Sequence, residues 1–161
     1  MLDMVLRIYG EQFDVALFCN KYPEMAISTL FKKGELDILG NSNEFSGFDV
    51  IISENETVMN GLQKTKQFLD LQEQAFTFLK NSGVNCFLDL DVTVGPVGEM
   101  PAPLNLSAEF LGVLHHYNIS IEFSAYPSNE GAWVSCYYYK IVMPWLVVQV
   151  IVGYKYVAPL C

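Results

Sequence analysis

Two stretches of this chain alternate apolar and other side chains so regularly that each reads as a strand with one dry face. Residues 2–9 put Leu2, Met4, Leu6 and Ile8 on one side and Asp3, Val5, Arg7 and Tyr9 on the other. Residues 84–94 put Leu88, Leu90, Val92 and Val94 on one side and Phe87, Asp89, Asp91 and Thr93 on the other. Successive strand residues point to opposite faces, so period two fixes which side must be covered. A sheet with a single dry face needs a second layer on that face. The stretch from Thr57 to Lys80 can supply it. Val58, Leu62, Phe68, Leu69, Leu71, Phe76 and Leu79 form an apolar stripe at helical spacing, and Asn81-Ser82-Gly83 is a helix stop.

The remaining elements follow from local signals. Gly10 ends the first strand, and Phe13–Tyr22 reads as a short helix stopped by Pro23, with Leu17 on the face of Phe13. Met25–Phe31 reads as a second strand, Lys32-Lys33-Gly34-Glu35 and 40–47 as loop, and Phe48–Ser53 as a third strand carrying Val50, Ile51 and Ile52. A stiff Gly- and Pro-rich connection spans 95–103. Ser107 is placed to cap a helix that runs to about His116, and Ile119–Phe123 alternates as a strand before a break at 126–131. The order β-α-β-β-α-β-α-β predicts an α+β fold: a ferredoxin-like split βαβ order extended by a further αβ unit, with helices on a mostly antiparallel sheet.

Charge divides the chain at about residue 131. The formal net charge is −9, and all 18 acids precede that point, against Lys140 and Lys155 as the charged residues after it. We read 1–131 as one acidic α+β domain and 132–161 as an apolar C-terminal segment. That segment reads as two further strands bent at Pro144, as a membrane anchor, or as a non-native tail of the kind a frameshift leaves. The uncharged run from Ile141 to Tyr154 is shorter than the roughly 20 residues a spanning helix needs, which sets a membrane association aside. The opening Met1-Leu2-Asp3 lacks a basic leader, and Cys19, Cys86, Cys136 and Cys161 form no C-x-x-C pair. Both features fit a cytoplasmic protein with free thiols.

A negative field repels phosphate backbones, so nucleic acid is not the expected partner, whereas a basic protein is. The candidate partner-binding acids are Glu35, Asp37, Glu44, Asp49, Glu54 and Glu56. Asp89 and Asp91 share a strand face that Glu122 could join, and three carboxylates there could take Mg²⁺ or Ca²⁺. The competing reading is a polar sheet face paired with Arg7. His115 and His116 are adjacent, so they cannot serve as an i, i+4 metal pair, and they suit the end of a helix instead. The chain carries no G-x-x-x-x-G-K-[ST], G-x-G-x-x-G or G-x-S-x-G, and no cofactor or catalytic residue is expected.

Several short motifs resemble one family. Arg7-x-Tyr9-Gly10-x-x-Phe13-Asp14 closes the first strand. Lys32-Lys33-Gly34-Glu35 follows the second, and Leu106-Ser107-Ala108-Glu109-x-Leu111 precedes a strand ending in Tyr126. In this order they resemble domain-of-unknown-function family 4279, small and mostly bacterial proteins, over about residues 3–130. Val15 stands where the family commonly has proline, no tryptophan follows Glu35, and Phe48 stands where a tryptophan opens the third strand. The resemblance implies an immunity-type binding role and no catalytic residues. Three functions are therefore expected to compete: a non-catalytic module that blocks a basic partner, a small metal-dependent enzyme or metal-binding domain using Asp89, Asp91 and Glu122, and an oligomerisation protein that associates through 132–161. The oligomeric state is open.

Overall fold

The computed structural model describes residues 2–37, 39–94, 105–127, 135–141 and 153–156. Its elements are β1 (Leu2–Gly10), α1 (Val15–Lys21), β2 (Thr29–Phe31), β3 (Ser46–Glu56), α2 (Val58–Leu71), α3 (Glu73–Asn81), β4 (Asn85–Val94), α4 (Ala108–His116), β5 (Ile119–Pro127), β6 (Ser135–Ile141) and β7 (Gly153–Tyr156). The strands form one mixed sheet in the order β2-β3-β1-β4-β5-β6-β7. Its pairings are antiparallel except for β4 with β5. The chain is thus an α+β protein. β3 lies between β1 and β2, and β1 lies between β3 and β4, so each of the first two helical crossovers spans an intervening strand.

The dry faces read from the sequence meet in one core. Leu2, Met4, Leu6 and Ile8 of β1, Phe48 and Val50 of β3, Cys86, Leu88 and Leu90 of β4, and Ile119 and Ile121 of β5 are buried together. Phe18 of α1, Leu69 of α2, Phe76 and Leu79 of α3, and Phe110 and Leu114 of α4 pack onto them. Burial raises the thiol of Cys86 to about 12, so it stays a neutral core side chain.

Local details depart from the sequence reading where caps and breaks decide them. α1 begins only after Asp14, whose carboxylate accepts the Leu17 N–H at 2.9 Å. Phe13 therefore lies outside the helix, and Leu17 does not share its face: Phe13 is buried while Leu17 is 58% exposed. Val15 and Phe18 form the buried side instead. β2 covers Thr29–Phe31, because residues 25–27 turn, with the Met25 N–H on the Tyr22 carbonyl and the Ile27 N–H on the Met25 carbonyl. The long helix is two, interrupted at Gln72 (φ −105°, ψ 24°), and Leu71 falls on the exposed side. α2 buries Gly61, Thr65 and Leu69, a stripe partly made of small residues that apolar counting passes over. A Cβ on Gly61 would stand 2.8 Å from Cε of Met4, so glycine permits this close helix–sheet approach.

The helix end signals read correctly. Ser107 Oγ accepts the Phe110 N–H at 3.1 Å, and His115 and His116 occupy the last turn of α4. β5 runs to Pro127, so Tyr126 and Pro127 are strand residues and not part of the expected break at 126–131. At the C-terminal end, β6 and β7 extend the sheet. The bend at Pro144 and the run 142–152 lie outside the described residues. Among the described residues no helix is long and apolar enough to cross a membrane.

Candidate functional site

The six acids singled out in the sequence do not form one surface. Glu35, Asp37 and Glu44 belong to the β2–β3 connection. Asp49 sits in β3 opposite Arg7, and its Oδ1 accepts from Arg7 Nε at 3.1 Å. Glu54 and Glu56 lie at the far end of β3, roughly 30 Å along the strand from its start. Glu56 is engaged by Lys64 and by the Asn60 amide, which hold its carboxyl below the usual range. Asp37 is a structural residue. Its Oδ1 accepts the N–H groups of Leu39 at 2.9 Å and Asn41 at 2.8 Å, and these bonds, Asn41's first, lower its pKa. Glu35, Glu44 and Glu54 remain exposed and make no ion pair among the described residues.

The β2–β3 connection is itself an ordered hairpin. The Gly34 N–H donates to the Asn43 carbonyl and the Asn43 N–H to the Glu35 carbonyl, each at 2.8 Å, and Leu36 bridges Ser42. Gly34 and Gly40 take φ of +85° and +82°, a region that costs glycine nothing. At its base Lys33 pairs with Glu11 at 3.0 Å, and the Phe45 ring packs on Tyr9 at 5.2 Å. The folded hairpin leaves Leu36 71% and Leu39 78% exposed. Composition marks 32–35 and 40–47 as loop and assigns nothing to 36–39. The signal that could have found the hairpin is the alternation of Glu35, Leu36 and Asp37 followed by Leu39-Gly40-Asn41, apolar residues inside turn chemistry.

The second constellation lies on the sheet face opposite the helices. β1 brings Asp3 and Arg7, β4 brings Asp89 and Asp91, and β5 brings Glu122 and Ser124. In register, Asp3 faces Asp91 across β1–β4, and Asp89 faces Glu122 across β4–β5. The three carboxylates proposed from the sequence therefore do share a face, with Arg7 on the same face. Asp89 is 8% and Glu122 6% exposed. Burial, with Asp91 and Glu122 nearby, pushes Asp89 up to about 6, against the opposing influence of Arg7 and of a 3.3 Å hydrogen bond from Ser124. Asp91 is also raised, by burial first and by Asp3, and its Oδ1 has no hydrogen-bond partner among the described residues. Burial works against the charge of Arg7, yet Asp49, Asp89 and Glu122 together hold its pKa above the ordinary value. The Asp3 carboxylate accepts the Asn55 N–H at 2.6 Å, fixing a left-handed residue (φ +55°) at the end of β3.

Among the described residues, no group of three His, Cys, Asp or Glu is placed to hold a metal ion. Two clefts, of about 410 Å³ beside Glu11–Asp14 and about 340 Å³ beside Asp70–Ala75, lie away from Asp89 and Glu122. The pH dependence has a definite sign. Asp89 stays protonated in the folded state at pH values where the unfolded chain has already ionised it. Its contribution is therefore fully present below about pH 4 and is lost as pH rises through about 6. A displacement of about two units corresponds to about 3 kcal/mol, and partial contact with solvent reduces this to about 1–2 kcal/mol. Asp89→Asn should raise the unfolding free energy measured in urea at pH 7.5 by that amount and flatten the decline between about pH 4 and 7. An unchanged free energy and slope would show that Asp89 is solvated.

Comparison with known proteins adds no relative: no family model, curated protein or solved structure matches the chain.

Proposed function

We propose that this protein is a non-catalytic binding module that recognises a basic protein partner, in the manner of an immunity-type inhibitor. The observation that carries the reading is the surplus of unpaired surface carboxylates. The four ion pairs Arg7–Asp49, Lys33–Glu11, Lys64–Glu56 and Lys66–Glu109 leave Glu24, Glu35, Glu44, Glu54, Asp70 and Glu73 exposed without an ion-paired cation among the described residues. Such a surface steers cationic partners to it by long-range attraction. The resemblance of residues 3–130 to family 4279 points the same way.

The test is kinetic. Proteins retained on the immobilised full chain at low salt are identified, and the on-rate of the tightest is measured from roughly 50 to 300 mM NaCl, a range over which the screening length falls about 2.4-fold. A basic partner whose on-rate drops about tenfold or more is expected. A partner set without basic proteins, or an on-rate indifferent to salt, would remove the electrostatic basis of the reading.

A further inference from the structure

We infer that the β2–β3 hairpin is the docking element, and that it inserts Leu36 and Leu39 into an apolar cleft bordered by lysine or arginine on the partner. The inference rests on the binding role proposed above and names the surface that performs it. Three features of one short segment support it. First, the two leucines are exposed although the hairpin around them is folded, so their exposure is not a consequence of an unformed loop. Second, the described residues of the segment, 33–37 and 39–46, are held by their own bonds: the Asp37 carboxylate on two backbone N–H groups, the two cross-hairpin bonds of Asn43, and the Lys33 N–H on Ser46 Oγ at 3.0 Å. A preorganised tip loses little conformational freedom on binding. Third, Glu35 and Glu44 flank the leucines, are exposed and make no ion pair among the described residues, so with Asp37 they outnumber the one unpaired cation of the segment, Lys32, and leave the apolar tip beside net negative charge.

Those charges choose the occupant. A second copy of this chain would bring the same carboxylates against these and carry the same formal net charge of −9. A basic cleft neutralises them while it covers the leucines. Polar groups at the rim and apolar anchors at the centre are the usual division of a protein interface.

The experiment uses a random dodecapeptide library displayed on phage, panned against the immobilised full chain. Selected peptides are then synthesised and titrated against the wild type, Leu36→Ser/Leu39→Ser and Glu35→Gln/Glu44→Gln. Matching melting curves for the three proteins are expected, because none of these side chains is buried. Selection should enrich Lys or Arg together with Leu, Phe or Trp. Loss of both leucines should weaken binding about tenfold or more, and loss of the two charges should weaken it less while flattening its salt dependence. Selection without basic peptides would overturn the binding role and the hairpin together. Basic peptides that bind the leucine variant as tightly as wild type would overturn the hairpin alone. A wild-type dimer that the leucine variant abolishes in sedimentation would make a second copy the occupant and overturn the basic cleft.

Discussion

Gly47→Ala is expected to destabilise the protein by about 3 kcal/mol, enough to lower the thermal midpoint by roughly 10 °C. Gly47 sits in β3 between Tyr9 of β1 and Phe31 of β2. A Cβ there would strike the Ile8 carbonyl oxygen, the Phe31 ring at 2.6 Å and the Tyr9 Cβ at 2.7 Å. Two of these obstacles cannot swing aside, since one is backbone and the other is anchored to it. Relief requires β3 to move away from β1, at the place where the sheet is paired on both sides. Gly112→Ala is the internal comparison. Gly112 is exposed within α4, and a Cβ there meets nothing within 4 Å. That change should stabilise by about 0.5–1 kcal/mol through helix propensity. Paired urea titrations of the two variants settle the matter. Equal and small effects would show that β1 and β3 are not held as close as described.

Phe18→Ala should cost about 3–5 kcal/mol. Phe18 is fully buried and is the centre of an aromatic group: Tyr22 at 5.0 Å, Phe48 at 5.2 Å, Phe13 at 5.7 Å and Phe78 at 6.1 Å between ring centroids. α1 has seven residues, too few to be stable alone, so its attachment depends on this ring. Truncation removes both the buried area and the ring contacts, which add about 0.5–1.5 kcal/mol per pair. Phe18→Leu keeps much of the volume and should lose less than half as much. Near-ultraviolet circular dichroism and a urea midpoint provide the check. An Ala variant within about 1 kcal/mol of wild type would mean that α1 is not docked on β3.

The pattern of what could be read in advance has a physical basis. The alternation in β1 and β4 survives into the structure because a sheet face is set by period two whatever lies beyond it. The cap at Ser107 is local chemistry, its side chain accepting an N–H three residues on. The break at Gln72 has neither Gly nor Pro to announce it, and α2 buries Gly61 and Thr65, whose placement depends on Met4 sixty-one residues before Thr65. Asp89, Asp91 and Glu122 could be placed on one face once their strands were read. Whether Arg7 joined them depended on which strands neighbour each other and in what register. The acids from Glu35 to Glu56 are close in sequence, but an extended strand of eleven residues pulls such a group apart. Leu36 and Leu39 carry no mark of exposure in the sequence, because exposure is a property of the folded hairpin and not of leucine.

β1 precedes β3 and β4 in sequence, yet in the sheet it stands between them. Its partners arrive only at residues 46–56 and 85–94. In the growing chain one edge of β1 therefore stays open until β3 follows, and the other until β4 does. The sheet's centre closes late and through distant pairings, a topology that folds slowly. Until both neighbours are in place, the unpaired N–H and C=O groups of β1 are an edge to which another unfolded chain can pair.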